Sequence, residues 1–207
     1  MGIITLKKRP VSAEAILKEL ALRRILYEGH FRIQSGHHTN AFIVARRTVN
    51  AMTLHLQLIN VFVDLDVDTA DLAFLSMTQG SSDIMRGALR DTLRIDRRQM
   101  VHVDDVHGSM VIPEKSLDLM RTKKVVIIDD VVRKGRALKF LTALCGKHEI
   151  RPLSIIAAIS SVGISAVNEV PITSLVRFPI KQWDSGQTCK LCQEGKIPLH
   201  DPYFFDR

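Results

Sequence analysis

The chain has 207 residues, 46% of them apolar, enough for one globular domain with a substantial core. Its longest apolar run, Val125 to Val132, is broken by Asp129 and Asp130, which excludes a membrane span, and the charged MGIITLKKRP start has no following apolar stretch, so no signal peptide is expected. The formal charge of +7 attracts anions such as phosphorylated metabolites or nucleic acid, while 5% aromatics supply no row of stacking platforms for single strands, and three cysteines fit a reducing, cytoplasmic home.

Ser12 is a good N-cap for a first helix, with Ile16, Leu17, Leu20, Ala21, Ile25 and Leu26 at helical spacing and a stop near Glu28–Gly29. Two short extended pieces follow, around a turn at Ser35–Gly36. Asn50 can cap a second helix to about Val63, and Asp71 to Met77 reads as a buried strand. Gly80-Ser81-Ser82 is then a turn into a helix with Ile84, Met85, Ala88 and Leu89 inward. Met100 to Val103 is a short strand, and the polar stretch Asp104 to Lys115 should be a mobile loop.

The strongest strand is Val125 to Asp129, followed by a helix opened by Gly135 with Leu138, Phe140, Leu141 and Leu144 on one side. Pro152 to Ser160 and Thr173 to Phe178 are further strands, and the last thirty or so residues look irregular. Helices alternating with apolar strands predict an α/β fold with a mostly parallel central sheet covered on both faces. One domain spanning 1–207 is expected, with a hood over about 1–45, a core over about 46–180 and a tail over about 181–207.

In an open α/β sheet ligands bind beyond the carboxyl ends of the strands. Asp129 and Asp130 lie at such an end, and the N–H groups around Gly135 open a helix behind them, a ready anion site. Adjacent carboxylates there can hold a ribose diol or, through Mg²⁺, a diphosphate. An acidic helix cap or a Walker-B-like strand end remains the alternative, although no Walker A loop lies upstream.

VVIIDDVVRKGRA resembles the phosphoribosyl-diphosphate (PRPP) motif of the type I phosphoribosyltransferases, and other segments resemble the orotate branch. Glu28-Gly-His-Phe-Arg-Ile-Gln-Ser-Gly-His-His38 is similar to its N-terminal segment, His107–Gly108 to the end of its flexible loop, and Cys189-Lys-Leu-Cys192-Gln-Glu-Gly-Lys-Ile-Pro198 to the ending of some bacterial members. The resemblance implies that Asp129 and Asp130 hold the ribose hydroxyls of PRPP. It makes Arg133, Lys134, Gly135, Arg136 and Ala137 the phosphate loop, and Gln79, Gly80 and Ser81 the pyrophosphate loop. Asp104, Asp105, His107 and Gly108 become the flexible loop, with Gln34, Ser35, Gly36 and Phe42 on the base side. It further implies Mg²⁺ with PRPP, a nucleotide ligand and a homodimer whose flexible loops cover neighbouring sites.

Two departures bear on activity. Arg133, Lys134 and Arg136 replace compact hydroxyls in the phosphate loop, and Asp105 stands where the family has its catalytic lysine. Loss of such a clamp commonly costs about 2.7–4 kcal/mol of transition-state stabilisation; Asp104 and Asp105 offer Mg²⁺ only partial compensation. Two readings follow: a transferase acting on a base such as orotate, or an impaired member that senses a nucleotide or contacts a protein or nucleic-acid partner. His107 is the histidine expected over the site, and His37–His38 read as surface residues. The lone Cys189-x-x-Cys192 pair falls short of a zinc site, so zinc is not expected; were it bound, His200 or a second subunit would complete the set.

Overall fold

The computed structural model describes residues 7–33, 35–44, 47, 51–77 and 82–202, the side chains of 82–84 excepted. Helix α1 (Ala13–Leu22) opens where expected, with Ser12 Oγ accepting the Ala15 N–H at 3.1 Å. It ends well before Glu28. Arg24 takes a left-handed backbone (φ 56°), and Ile25 and Leu26 leave the helix, Leu26 as the first residue of a strand, although both keep helical spacing. That strand, β1 (Leu26–Arg32), pairs antiparallel with β2 (His38–Ile43), and Gly36 at φ 78° allows the tight return between them.

Helix α2 (Met52–Leu65) begins at Ala51, which has no side-chain cap; Asn50, the expected cap, lies outside the described residues. Glu19 of α1 takes over that duty. Its carboxylate accepts the N–H groups of Met52 and Thr53 and the Thr53 hydroxyl. Burial would raise the Glu19 carboxyl, but these bonds and Arg23 outweigh it and hold it below its ordinary value.

The core sheet comprises β3 (Leu72–Ser76), β4 (Met100–His102), β7 (Lys124–Val132), β8 (Ser154–Ser161), β9 (Ala166–Val167) and β10 (Val170–Phe178). Their order is β4-β3-β7-β8-β10-β9, all parallel but for the β9 edge. Helices α3 (Ser82–Leu93), α4 (Glu114–Thr122) and α5 (Arg136–Lys147) complete the alternation. Side-chain alternation along β7 divides the core. Val126 and Ile128 pack with residues of α1, α2 and α3, whereas Val125 and Ile127 pack with residues of α4 and α5. Met85, Ala88 and Leu89 point inward as predicted, as do Leu138, Leu141 and Leu144; Phe140 falls on the outer side, 38% exposed.

Two expectations fail here. The stretch from Asp104 is no simple loop but a hairpin, β5 (Asp104–Val106) and β6 (Ser109–Val111), followed directly by α4. Its two-residue turn, His107–Gly108, has both φ values positive (53° and 81°), the geometry that matches strand twist in a tight hairpin. Nor is the C-terminal segment irregular. It forms β11 (Gln182–Trp183), α6 (Lys190–Glu194) and β12 (Leu199–His200), and its strands join the hood in a sheet ordered β11-β2-β1-β12. Among the described residues no helix is long and apolar enough to cross a membrane.

Candidate functional site

The chain turns back on its strand order between β3 and β7: β4 lies on one side of β3, and β7, reached later, on the other. Such a switch point opens a crevice at the carboxyl ends of the strands. A cavity of about 290 Å³ lies there. Asp129 and the loop from Arg133 to Ala137 form one wall, and Ile33, Ser35, His37 and Gln182 of the hood form the other. Hood and core thus enclose the cavity together.

The paired acids part company at this point. Successive strand residues face opposite ways. Asp130, fully buried, turns to the side of Val126 and Ile128, where its Oδ1 accepts the Met85 N–H of α3 at 3.0 Å. Asp129 turns to the cavity. Burial pushes its carboxyl up to about 6, against the opposing pull of the Val131 and Asp130 N–H groups and the Arg133 charge. Arg133 is pushed down by burial in turn, and Asp129 opposes that shift.

Gly135 makes the loop geometry feasible. It caps α5 at φ 67°, and a Cβ there would meet Val167 Cγ2 at 3.1 Å. Gly135→Ala is therefore expected to lower stability by about 1–2 kcal/mol, checked by urea unfolding.

Lys134 and Arg136 already hold an anion. Asp184, just beyond β11, lies 2.7 Å from Lys134 Nζ, 3.6 Å from Arg136 Nη2 and 3.3 Å from His37 Nε2. The Lys134 bond first, then its charge and those of Arg136 and His37, keep the exposed Asp184 carboxyl below its ordinary value. An internal carboxylate thus competes for the cations that a ligand phosphate would use. Asp184→Asn is expected to tighten binding of inorganic phosphate by about two- to fivefold, with a smaller gain in high salt, measured by calorimetry.

Other expected site residues lie elsewhere. Gln34, Gln79, Gly80 and Ser81 are outside the described residues. Phe42 packs its ring on Phe31, 5.9 Å between centroids, and does not line the cavity. Gly36 shapes the turn beside Ser35. Asp104, Asp105, His107 and Gly108 are all exposed, and none lines the cavity. Asp105 Oδ1 instead accepts the Gly108 N–H at 2.8 Å, so Asp105 braces the hairpin turn. The histidine at the cavity is His37, not His107.

A second constellation escapes sequence reasoning. His30, His38, Cys189 and Cys192 place their ligand atoms within 4.8 Å of one another. His200 is not among them; its ring lies 6.0 Å from that of Phe31. Burial, then the charges of His30 and Arg32, hold His38 below its ordinary value. The CxxC spacing was the only signal in the sequence, since the histidines lie 159 and 154 residues from their sulfur partners.

No family model matches the chain. It is 24% identical to the orotate phosphoribosyltransferase of Chlorobium phaeobacteroides over 200 residues, covering 93% of this chain and 96% of that one. Over 55 residues, 27% of the chain, it is 38% identical to the transcriptional regulator GfcR of Methanobrevibacter smithii, and that stretch spans 27% of the regulator. The crystal structure of orotate phosphoribosyltransferase from Aeropyrum pernix superposes with a TM-score of 0.56 at 18% identity, covering 78% of this chain and 93% of that one. Sheet order, strand-end acid, glycine loop and hood agree with these likenesses: the chain has the type I phosphoribosyltransferase fold, in the form that orotate phosphoribosyltransferases share.

Proposed function

We propose that the cleft between hood and core binds PRPP or a related phosphorylated nucleotide, and that the protein works as a nucleotide sensor with little or no transferase turnover. The observation that carries the binding half is the cavity that sets Asp129 beside a cationic loop around Gly135. The Asp129 carboxylate suits the hydroxyls of a ribose, and Lys134, Arg136 and the N–H groups at the start of α5 suit a phosphate. Mg²⁺ fits this set only as a companion of the ligand. Among the described residues one carboxylate lines the cavity beside three cations, and Mg²⁺ characteristically takes one or two carboxylates and completes its shell with phosphate oxygens and water. When bound it would neutralise diphosphate charge.

The sensing half rests on the hairpin. Asp104 and Asp105 bring negative charge to the element that the resembled family uses to neutralise a departing diphosphate, and Asp105 is engaged with its own turn. The short likeness to a transcriptional regulator agrees with a role without turnover. A cytoplasmic location agrees with three cysteines of which none is joined in a disulfide among the described residues.

Titration of PRPP with Mg²⁺ by calorimetry tests the binding, and mixing PRPP with orotate tests the chemistry. Heat of binding without pyrophosphate release is the expected outcome. Silence at millimolar PRPP removes the ligand class, and rapid release of pyrophosphate restores the transferase reading. A homodimer also belongs to this reading, because the hairpin lines no part of its own chain's cavity and a second copy would bring it there. Light scattering is expected to give twice the chain mass, and a monomer at micromolar concentration counts against the hairpin's role.

A further inference from the structure

We propose that His30, His38, Cys189 and Cys192 form a structural zinc site that ties the N-terminal hairpin to the C-terminal segment and so fixes the hood over the cleft. The separations are those of a closed four-ligand cage. His30 Nε2 lies 3.0 Å from His38 Nδ1, 3.4 Å from Cys189 Sγ and 3.5 Å from Cys192 Sγ, and Cys192 Sγ lies 3.2 Å from His38 Nδ1. Ligands about 2.0–2.3 Å from a central zinc at tetrahedral angles stand about 3.3–3.8 Å apart, so these four separations come within a few tenths of an ångström of a zinc cage, and all four ligand atoms lie within 4.8 Å of one another.

The surroundings are also those of a metal centre. His30 Nδ1 lies 3.2 Å from the Ile197 carbonyl, to which it can only donate; that fixes the tautomer and leaves the Nε2 lone pair facing the cluster. His30, His38 and Cys189 are buried and Cys192 closes the cluster from the surface side, so four converging groups rich in lone pairs meet with no carboxylate in the group. Gly186 lies against the site: a Cβ there would come within 3.5 Å of His38 Cε1 and 3.8 Å of Cys192 Sγ. Two thiolates and two imidazoles in this arrangement select zinc among common divalent ions, and a set with no open position is structural.

The ligands come from three pieces of chain, in two distant segments, that the fold must bring together. His30 stands on β1, His38 opens β2, Cys189 precedes α6 and Cys192 lies within it. The same two segments supply His37, Ser35 and Gln182 to the cavity wall. Zinc would therefore stabilise the sheet pairing of His30 with Leu199 and of Trp183 with His38, and with it the cover of the cleft.

The test uses the full chain, produced without an affinity tag and desalted, with metal measured by mass spectrometry. One zinc per chain is expected. Cys189→Ser and His30→Ala should each lower the content at least about tenfold. Cys145→Ser and His200→Ala should keep it. Because a ligand variant could lose metal by misfolding, the wild-type protein exchanged with Co²⁺ gives an independent reading: intense visible bands of tetrahedral cobalt and a sulfur-to-metal charge-transfer band support the site, and weak octahedral bands overturn it. Zinc-free wild-type protein that carries a Cys189–Cys192 disulfide also overturns it, as does full zinc content in both ligand variants.

Discussion

Asp129→Asn is expected to weaken PRPP binding by roughly 10- to 150-fold, the loss that accompanies about 1.5–3 kcal/mol of hydrogen bonding to a charged group. The same change should stabilise the ligand-free protein at neutral pH. In the folded chain burial raises this carboxyl from 3.8 to about 6. Between those values the folded state holds a proton that the unfolded state has released. Its favourable share is thus complete below about pH 4 and is lost as pH rises through 6, up to about 3 kcal/mol. An amide has no such loss. Wild type and Asp129→Asn should therefore melt alike near pH 4, diverge between about pH 4 and pH 6, and stay apart above that, with the variant higher. Ligand affinity should run the opposite way in wild type, growing from pH 5 to pH 7 as the carboxylate forms. Calorimetry at several pH values on both proteins separates this from titration of the ligand's own phosphate, which both share. An Asp129→Asn protein that binds PRPP normally would remove Asp129 from the site.

How far the sequence foretold this follows from the range of each signal. The β7 strand and α5 were legible because apolar residues repeat within a few positions, at period two and near 3.6, so one window holds the whole pattern. The strand-end position of Asp129 and the need for glycine at 135 followed from the same window. Ile25 and Leu26 misled because they continue helical spacing past the end of α1; pairing with β2, a contact between distant residues, decided the matter. The β11 and β12 strands, two residues each, are too short for any period to appear, and they exist because β1 and β2 offer edges to pair with. The histidine partners of the CxxC depend on those same pairings and were hidden with them. His107 and His37 exchanged roles for a related reason: spacing shows that a histidine lies in a turn, but only the packed hood shows which turn meets the cleft.

The two acids that look equivalent in sequence should therefore fail in different ways. Asp130→Ala deletes an acceptor for the Met85 N–H in the first turn of α3, a buried bond that ties β7 to this helix. A buried hydrogen bond to a charged group is worth about 1.5–3 kcal/mol, and the vacated volume adds to the loss. The midpoint of urea unfolding should fall accordingly, with amide exchange accelerating first at the start of α3. Any loss of PRPP affinity should come from loosening of this region and be smaller than that of Asp129→Asn at equal temperature. Asp130→Asn, which keeps an acceptor oxygen, should recover most of the stability, whereas the same isostere at 129 recovers none of the binding. If Asp130→Ala instead unfolds like wild type and abolishes binding, both acids serve the ligand, and the division of roles by strand alternation is wrong.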